Sequence, residues 1–214
     1  MRIRSFIIAY ALLLAILLFA DRRPKPVQNR YSHIVDLTIA DDAAEKKPAS
    51  SRTLIIAPDA LIPGTWTAAQ IPPERLIAPL VVMDLNLAPP AQISLDDVAN
   101  WEMAHGTIPQ GAVVAIRNTN NANAATPAAS LPITDNAAQF LMDARYTLGF
   151  VVESAADVKA DRALARQLAL HGNFVVEKTT RLSSIAATGS LIIVAPAISK
   201  NTGTAPVRVL AMVK

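Results

Sequence analysis

Residues 93–116, ISLDDVANWEMAHGTIPQGAVVAI, hold the pattern of a helix, a turn and a strand in direct succession. Ser94 can cap the first free N–H groups of a helix, and the two aspartates that follow favour its positive end. These signals predict a helix from Ser94 to about Ala104. The prolyl-glutaminyl-glycine sequence at 109–111 predicts a turn, and the apolar run at 112–116 has the length of a buried strand.

Other apolar runs of strand length lie on both sides of this unit, many of them rich in β-branched residues. They are His33–Thr38, Arg52–Ala57, Pro79–Leu85, Leu148–Val152, Asn173–Val176, Leu191–Ala195 and Val207–Met212. Two further helices are predicted, one starting at Thr134 and one over Asp161–Leu170. Strands outnumber helices and alternate with them irregularly, which predicts an α+β fold with a mixed sheet rather than a regular doubly wound one.

The composition narrows the function classes. Hydrophobic residues make up 52% of the 214 residues, enough for a folded core, and the absence of Cys excludes disulfides, thiolate metal sites and a Cys nucleophile. Six of the 20 Lys and Arg residues but one of the 17 Asp and Glu residues lie in residues 1–30, so residues 31–214 carry a net charge of about −2. We therefore expect no nucleic-acid partner.

The N-terminus has the pattern of a targeting segment. Two arginines precede the uncharged run SFIIAYALLLAILLFA at 5–20, as in a secretory signal. As a helix this run would span about 24 Å, less than the hydrocarbon core of about 30 Å, but Leu18 makes a poor cleavage site. We predict a signal peptide or uncleaved membrane anchor at 1–20, a linker at 21–30 and one domain at 31–214. The protein is then exported, and either periplasmic or anchored to the inner membrane.

Four stretches in one order resemble the cyclase family that includes bacterial kynurenine formamidase. They are Trp66–Asp84 (WTAAQIPPERLIAPLVVMD), Ile93–Ile116, Phe174–Leu182 (FVVEKTTRL, similar to the family's VENLTNL) and Ala205–Leu210 (APVRVL). The resemblance implies the family's swivelling β/β/α fold, in which flanking helices surround a mixed, barrel-like sheet. It also implies a homo-oligomer and a hydrolase that uses zinc or manganese.

The family's metal motif, HxGTHxDxPxH, is followed by a later His and by a Glu twelve residues beyond it. Imidazole and carboxylate groups hold the metal, which lowers the pKa of a bound water. By resemblance the motif falls on SSRTLIIAPDA at 50–60, where Thr53 and Pro58 match. The ligand positions hold Ser50, Leu54 and Ile56, the proton-shuttle position holds Ala60, the later His position holds Ala165, and Glu177 is retained. We therefore expect that the protein binds no metal and has no catalytic residue. A small-molecule ligand is expected, and its identity stays open.

No other residue replaces the lost donors in this interpretation. His33, His105 and His171 all lie outside the motif, and the latter two are interpreted as surface or turn residues. Glu177 itself is interpreted as solvated or hydrogen-bonded. The acidic residues Asp41, Asp42 and Glu45 are interpreted as a solvated loop, and 118–130 as a flexible one.

Three functions stay open at this point. The first is a non-catalytic relative in the cell envelope that binds through the former pocket or an oligomer surface. The second is an active arylformamidase-type hydrolase, which would convert N-formylkynurenine to kynurenine in tryptophan catabolism. The third is a structural or assembly module of the envelope, held at the membrane by residues 5–20 if they are uncleaved.

Overall fold

A mixed sheet of eight strands curls until its last two strands pair, which closes a seven-stranded barrel. In this computed structural model the described residues are 31–39, 52–85, 92–118, 131–154, 157–198 and 202–214. The strands are β1 His33–Asp36, β2 Leu54–Ile56, β3 Ile77–Leu85, β4 Val113–Asn118, β5 Gly149–Val152, β6 Phe174–Glu177, β7 Ser190–Pro196 and β8 Thr204–Val213. Their order is β1-β8-β2-β6-β5-β4-β3-β7, and the β7–β8 pairing closes the ring.

One half of the barrel is parallel and carries the helices. Strands β3 to β6 pair in parallel in chain order, and parallel neighbours need a long crossover between them. The crossovers contain α2 Leu95–His105, α3 Asp135–Arg145 and α4 Arg162–Leu170, and a single-turn helix, α1 Pro58–Leu61, follows β2. Among the described residues no helix has the length and apolar character needed to cross a membrane.

The other half is antiparallel and depends on β8. This long strand pairs with β7 along one edge, and its other edge is shared between β2 at Thr204–Pro206 and β1 at Leu210–Val213. The ring runs from β7 through β8 to β2. The strand β1 pairs with β8 and is an extra strand outside this ring. The short β2 is thereby held between β8 and β6.

Each strand of the parallel half has two buried faces. Val113 and Ala115 of β4 belong to the core inside the barrel, whereas Val114 and Ile116 belong to the core between the barrel and the helices. Burial on both faces explains why these strands are continuous apolar runs without polar alternation. We call the two clusters the inner core and the outer core.

The helix α2 is fixed at its N-terminus and in its second half. The Ser94 side chain accepts from the Asp97 N–H while the Asp97 carboxylate accepts from the Ser94 N–H at 2.8 Å, a capping box. Trp101 donates from Nε1 to the Val82 carbonyl at 2.9 Å. Glu102 binds Arg145 of α3 through both carboxylate oxygens, at 2.7 and 2.8 Å.

The predicted fold class is confirmed: an α+β fold with a mixed, barrel-like sheet and flanking helices. The helix predicted from Ser94 and those predicted at 134 and 161–170 are present. The helix α1 was not predicted, and β1 ends two residues earlier than predicted, since Thr38 forms only an isolated bridge to Thr179. The segment 1–30, the acidic residues at 41, 42 and 45, and nearly all of the 118–130 loop lie outside the described residues.

Candidate functional site

The positions of the degenerate motif gather on the outer face where β2 meets β6. Leu54 lies directly opposite Glu177 in the antiparallel register, and Ile56 lies opposite Val175. Side chains alternate along a strand, so Leu54, Ile56 and Glu177 share one face. Ile55 and Val176 belong to the inner core, which confirms that this shared face is directed outward.

Two helices bring the remaining positions to the same side of the barrel. Ala60 lies on α1, which begins immediately after β2, and Ala165 lies on α4, which ends just before β6. The helix α1 packs against α4. Ala165 is buried, and Ile56 and Leu61 pack against the outer core. Ser50 lies outside the described residues.

The two residues that match the family motif have structural roles. Thr53 is buried, accepts a hydrogen bond from the Ile39 N–H at 2.7 Å and donates one to the Lys178 carbonyl at 2.5 Å. It thereby ties the start of β2 to the residue that follows β6. Pro58 occupies the first turn of α1, where a missing N–H costs nothing.

Glu177 is buried rather than solvated, with 8% of its surface exposed. The Lys178 ammonium lies 3.3 Å from its Oε1. The hydrogen-bonded part of our interpretation is compatible with this ion pair, but solvation is not. Its burial could not be predicted from sequence, because β6 is only four residues long and Glu177 is its last.

The segment after β6 forms a strap over one end of the barrel, which we define as residues 178–185. The N–H groups of Lys178, Thr179 and Thr180 donate to the carbonyls of Ser154, Val152 and Leu37, in that order, at 3.0 to 3.1 Å. Leu182 and Ile185 enter the inner core. The strap therefore fixes the backbone on which Glu177 sits.

Charged groups at the ends of β3, β4 and β5 hold the strap. Arg117 binds both carboxylate oxygens of Asp84, at 2.5 and 2.8 Å, and donates to the Leu182 carbonyl at 3.0 Å. The Leu182 N–H donates to Glu153 at 3.3 Å. Burial raises the pKa of Glu153, an effect opposed by the Leu182 N–H and the Arg117 charge. Sequence reasoning missed this cluster, although strand-end charges on parallel neighbours are a usable signal.

The residues at the motif positions do not fit a metal ion. Leu54, Ile56, Ala60 and Ala165 have no nitrogen, oxygen or sulfur in their side chains, whereas zinc sites need at least three protein donors. Glu177 would be the only side-chain donor on the described part of the site. Among the residues that the structure describes, no group of three His, Cys, Asp or Glu side chains is placed to hold a metal.

The three histidines lie elsewhere. His33 is exposed on β1, and His105 contacts Trp101 with ring centroids 4.9 Å apart and ring planes tilted by 45°. His171 ends α4, where its two ring nitrogens contact the Gln167 carbonyl at 2.8 Å and Asp143 at 2.9 Å. This contact joins α4 to α3, outside the motif face.

Two cavities of about 340 and 350 Å³ open on the described part of the chain. The first lies between Arg52, Thr53 and Arg208, beside the first half of β8, and the second between Gln92, Asp135 and Asp161 at the start of α3 and α4. Leu54, Ile56, Ala60, Ala165 and Glu177 line neither of them.

Similar solved structures share this fold, which is a cyclase-type, hydrolase-like fold. Isatin hydrolase A from Ralstonia solanacearum has a TM-score of 0.72 at 21% identity, with 96% of this chain and 97% of that chain covered. Isatin hydrolase A from Labrenzia aggregata, bound to benzyl benzoate, has a TM-score of 0.69 at 22% identity, covering 96% and 99%. A predicted metal-dependent hydrolase from Bacillus stearothermophilus has a TM-score of 0.59 at 21% identity, covering 84% and 97%.

The family follows from the sequence match. Residues 48–157 match the family described as "Putative cyclase", which is just over half of the 214 residues. The chain therefore belongs to the putative cyclase family, as the four resembling stretches predicted. No curated protein matches the chain.

Proposed function

We propose that this chain is a cyclase-family domain that has lost metal-dependent hydrolysis and acts by binding. The observation that carries the proposal is the outer face of β2, where Leu54 and Ile56 lie on the same side as Glu177. In the family resemblance these two positions hold metal ligands, and aliphatic side chains cannot replace them. On the same side of the barrel, Ala60 occupies the position of the proton-shuttle His and Ala165 that of the later His, so neither imidazole is present.

The test measures metal content and hydrolysis on the same preparation of the full chain. Purified protein supplemented with zinc and with manganese should retain much less than one metal ion per chain. It should hydrolyse isatin and N-formylkynurenine no faster than buffer. Near-stoichiometric metal together with a metal-dependent rate would refute the proposal.

A matched control comes from restoring the donors. The combined variant Ser50→His, Leu54→His, Ile56→Asp, Ala60→His and Ala165→His carries the family pattern again and keeps Glu177. Metal binding by this variant but not by the natural chain would attribute the loss to these five positions. Metal binding by the natural chain would contradict that attribution.

The alternative function is a hydrolase that remains active, and family membership supports it. Similar structures include isatin hydrolases and a protein described as a potential metal-dependent hydrolase with cyclase activity. If the chain is an arylformamidase-type enzyme that still uses Glu177, Glu177→Gln should abolish its activity. An unchanged rate would refute a mechanism based on the remaining carboxylate.

We further propose that the domain acts in the cell envelope, exported or anchored through residues 5–20 and assembled as a homo-oligomer. The support is the basic and then apolar N-terminal sequence, together with the oligomers that the family resemblance implies. Fractionation of cells should recover the chain from the periplasm or the inner membrane. Recovery from the cytosol would contradict this location.

A further inference from the structure

The residue after the retained glutamate has an unusual backbone conformation. Lys178 has a φ of 57°, in the left-handed region that residues other than Gly, Asn and Asp seldom adopt. In a regular strand the side chain after Glu177 would project to the opposite face. The left-handed turn ends this alternation at Lys178, and its ammonium lies 3.3 Å from the Glu177 carboxylate.

The surroundings of this pair favour a cation beside the carboxylate. The side chains of Glu177 and Lys178 are 10% and 19% exposed, and Leu54 lies directly across the strand pair from the glutamate. A carboxylate that is removed from water is costly to keep ionised without an opposite charge beside it. In a metal-loaded relative the metal ion would supply that charge.

We propose that the Lys178 ammonium takes over the charge-compensating role of the lost metal ion beside Glu177, an inference that rests on the proposed loss of metal binding. It explains why a carboxylate is present where the other ligand positions on the described part of the site hold Leu, Ile or Ala. It also assigns Lys178 a positioning role: its ammonium orients the Glu177 carboxylate on a face that Glu177 shares with Leu54 and Ile56.

The local backbone supports this assignment. The family stretch VENLTNL has Asn at the positions of Lys178 and Arg181, and both residues here are left-handed, with φ of 57° and 60°. Asn tolerates that conformation better than Lys does. A lysine kept under backbone strain indicates that its side chain contributes something that Asn would not. The Ser154 and Thr53 hydrogen bonds to the Lys178 N–H and carbonyl hold the turn in place.

A double-mutant cycle in the full chain tests the inference. Glu177→Gln, Lys178→Met and the double variant are compared with the natural chain by urea unfolding. Each single variant should lower the urea midpoint, and the double variant should fall clearly short of the sum of the two shifts. Any effect of Lys178→Met that does not involve Glu177, such as a change in backbone strain at residue 178, cancels in the coupling because this substitution occurs in both arms of the cycle. Additive shifts would overturn the inference.

Two further variants give the cycle a control and a rescue. The control is the pair of Arg208 and Asp36, which lie 3.1 Å apart with side chains that are 68% and 38% exposed. Because the pair is exposed, it should show little coupling in the same kind of cycle. Lys178→Arg keeps the charge and should keep most of the midpoint that Lys178→Met loses. Equal loss in the Arg and Met variants would contradict a charge-based role.

The outcome is separable from that of the proposed function. Metal bound by the natural chain would refute the loss of metal binding, whatever the cycle gives. Additive shifts in a metal-free protein would overturn the role of Lys178 and leave the proposed function standing.

Discussion

Glu102 of α2 and Arg145 of α3 form a bidentate ion pair that connects the two helices. The bidentate contact to Arg145 and the N–H of Ile108 lower the pKa of Glu102, although burial opposes them. The partner of Glu102 could not be predicted from local sequence patterns. Arg145 lies 43 residues away, on a neighbouring helix, and only the packing of α2 on α3 joins them.

The pair gives a pH-dependent prediction. Because the folded-state pKa of Glu102 lies below its ordinary value of 4.5, the ionised pair stabilises the fold above that value and is lost as the pH falls through the lowered pKa. Glu102→Gln should therefore reduce the free energy of unfolding by about 1 kcal/mol at pH 7. The difference should shrink below pH 4.5 when urea unfolding is measured across the pH range. A difference that does not depend on pH would contradict this account.

At the scale of elements, the strands and long helices could be predicted because their signals are local. Apolar runs mark β3 to β6, and Ser94 and Asp161 cap α2 and α4. The helix α1 could not be predicted, since four residues provide no periodicity. Its position depends on a close contact with the 202–203 segment, where the Ala57 N–H donates to the Gly203 carbonyl at 2.7 Å.

That contact predicts a large effect at a single glycine. A Cβ at Gly203 would lie 2.4 Å from the backbone nitrogen of Ala60, and a backbone atom cannot move aside as a side chain can. Gly203→Ala should cost about 1–3 kcal/mol of stability through overpacking. Gly64→Ala is the control, since its Cβ would meet nothing within 4 Å and only its positive φ is strained. Thermal unfolding of both variants checks the prediction, and an equal or smaller loss for Gly203→Ala would contradict it.

At the scale of the whole molecule, the sequence predicted the fold class but not the closure of the barrel. The insertion of β2 between β8 and β6 joins residues about 150 and 120 positions apart, and no local pattern encodes such pairings. Local patterns do not encode the grouping of the site residues either, and that grouping came from the resemblance to the cyclase family. It identified Leu54, Ile56 and Glu177 as one group, and the strand register then brought them to one face.

On the described part of the motif face, Leu54 and Ile56 lie on the same side as Glu177 and its Lys178 contact, where the family resemblance implies a metal site. The most direct test is the zinc and manganese content of the purified full chain after metal supplementation, measured by mass spectrometry. We predict far less than one equivalent per chain, because only Glu177 remains as a donor on the described part of the site. One tightly bound equivalent that is lost in Glu177→Gln would contradict the account and restore the hydrolase.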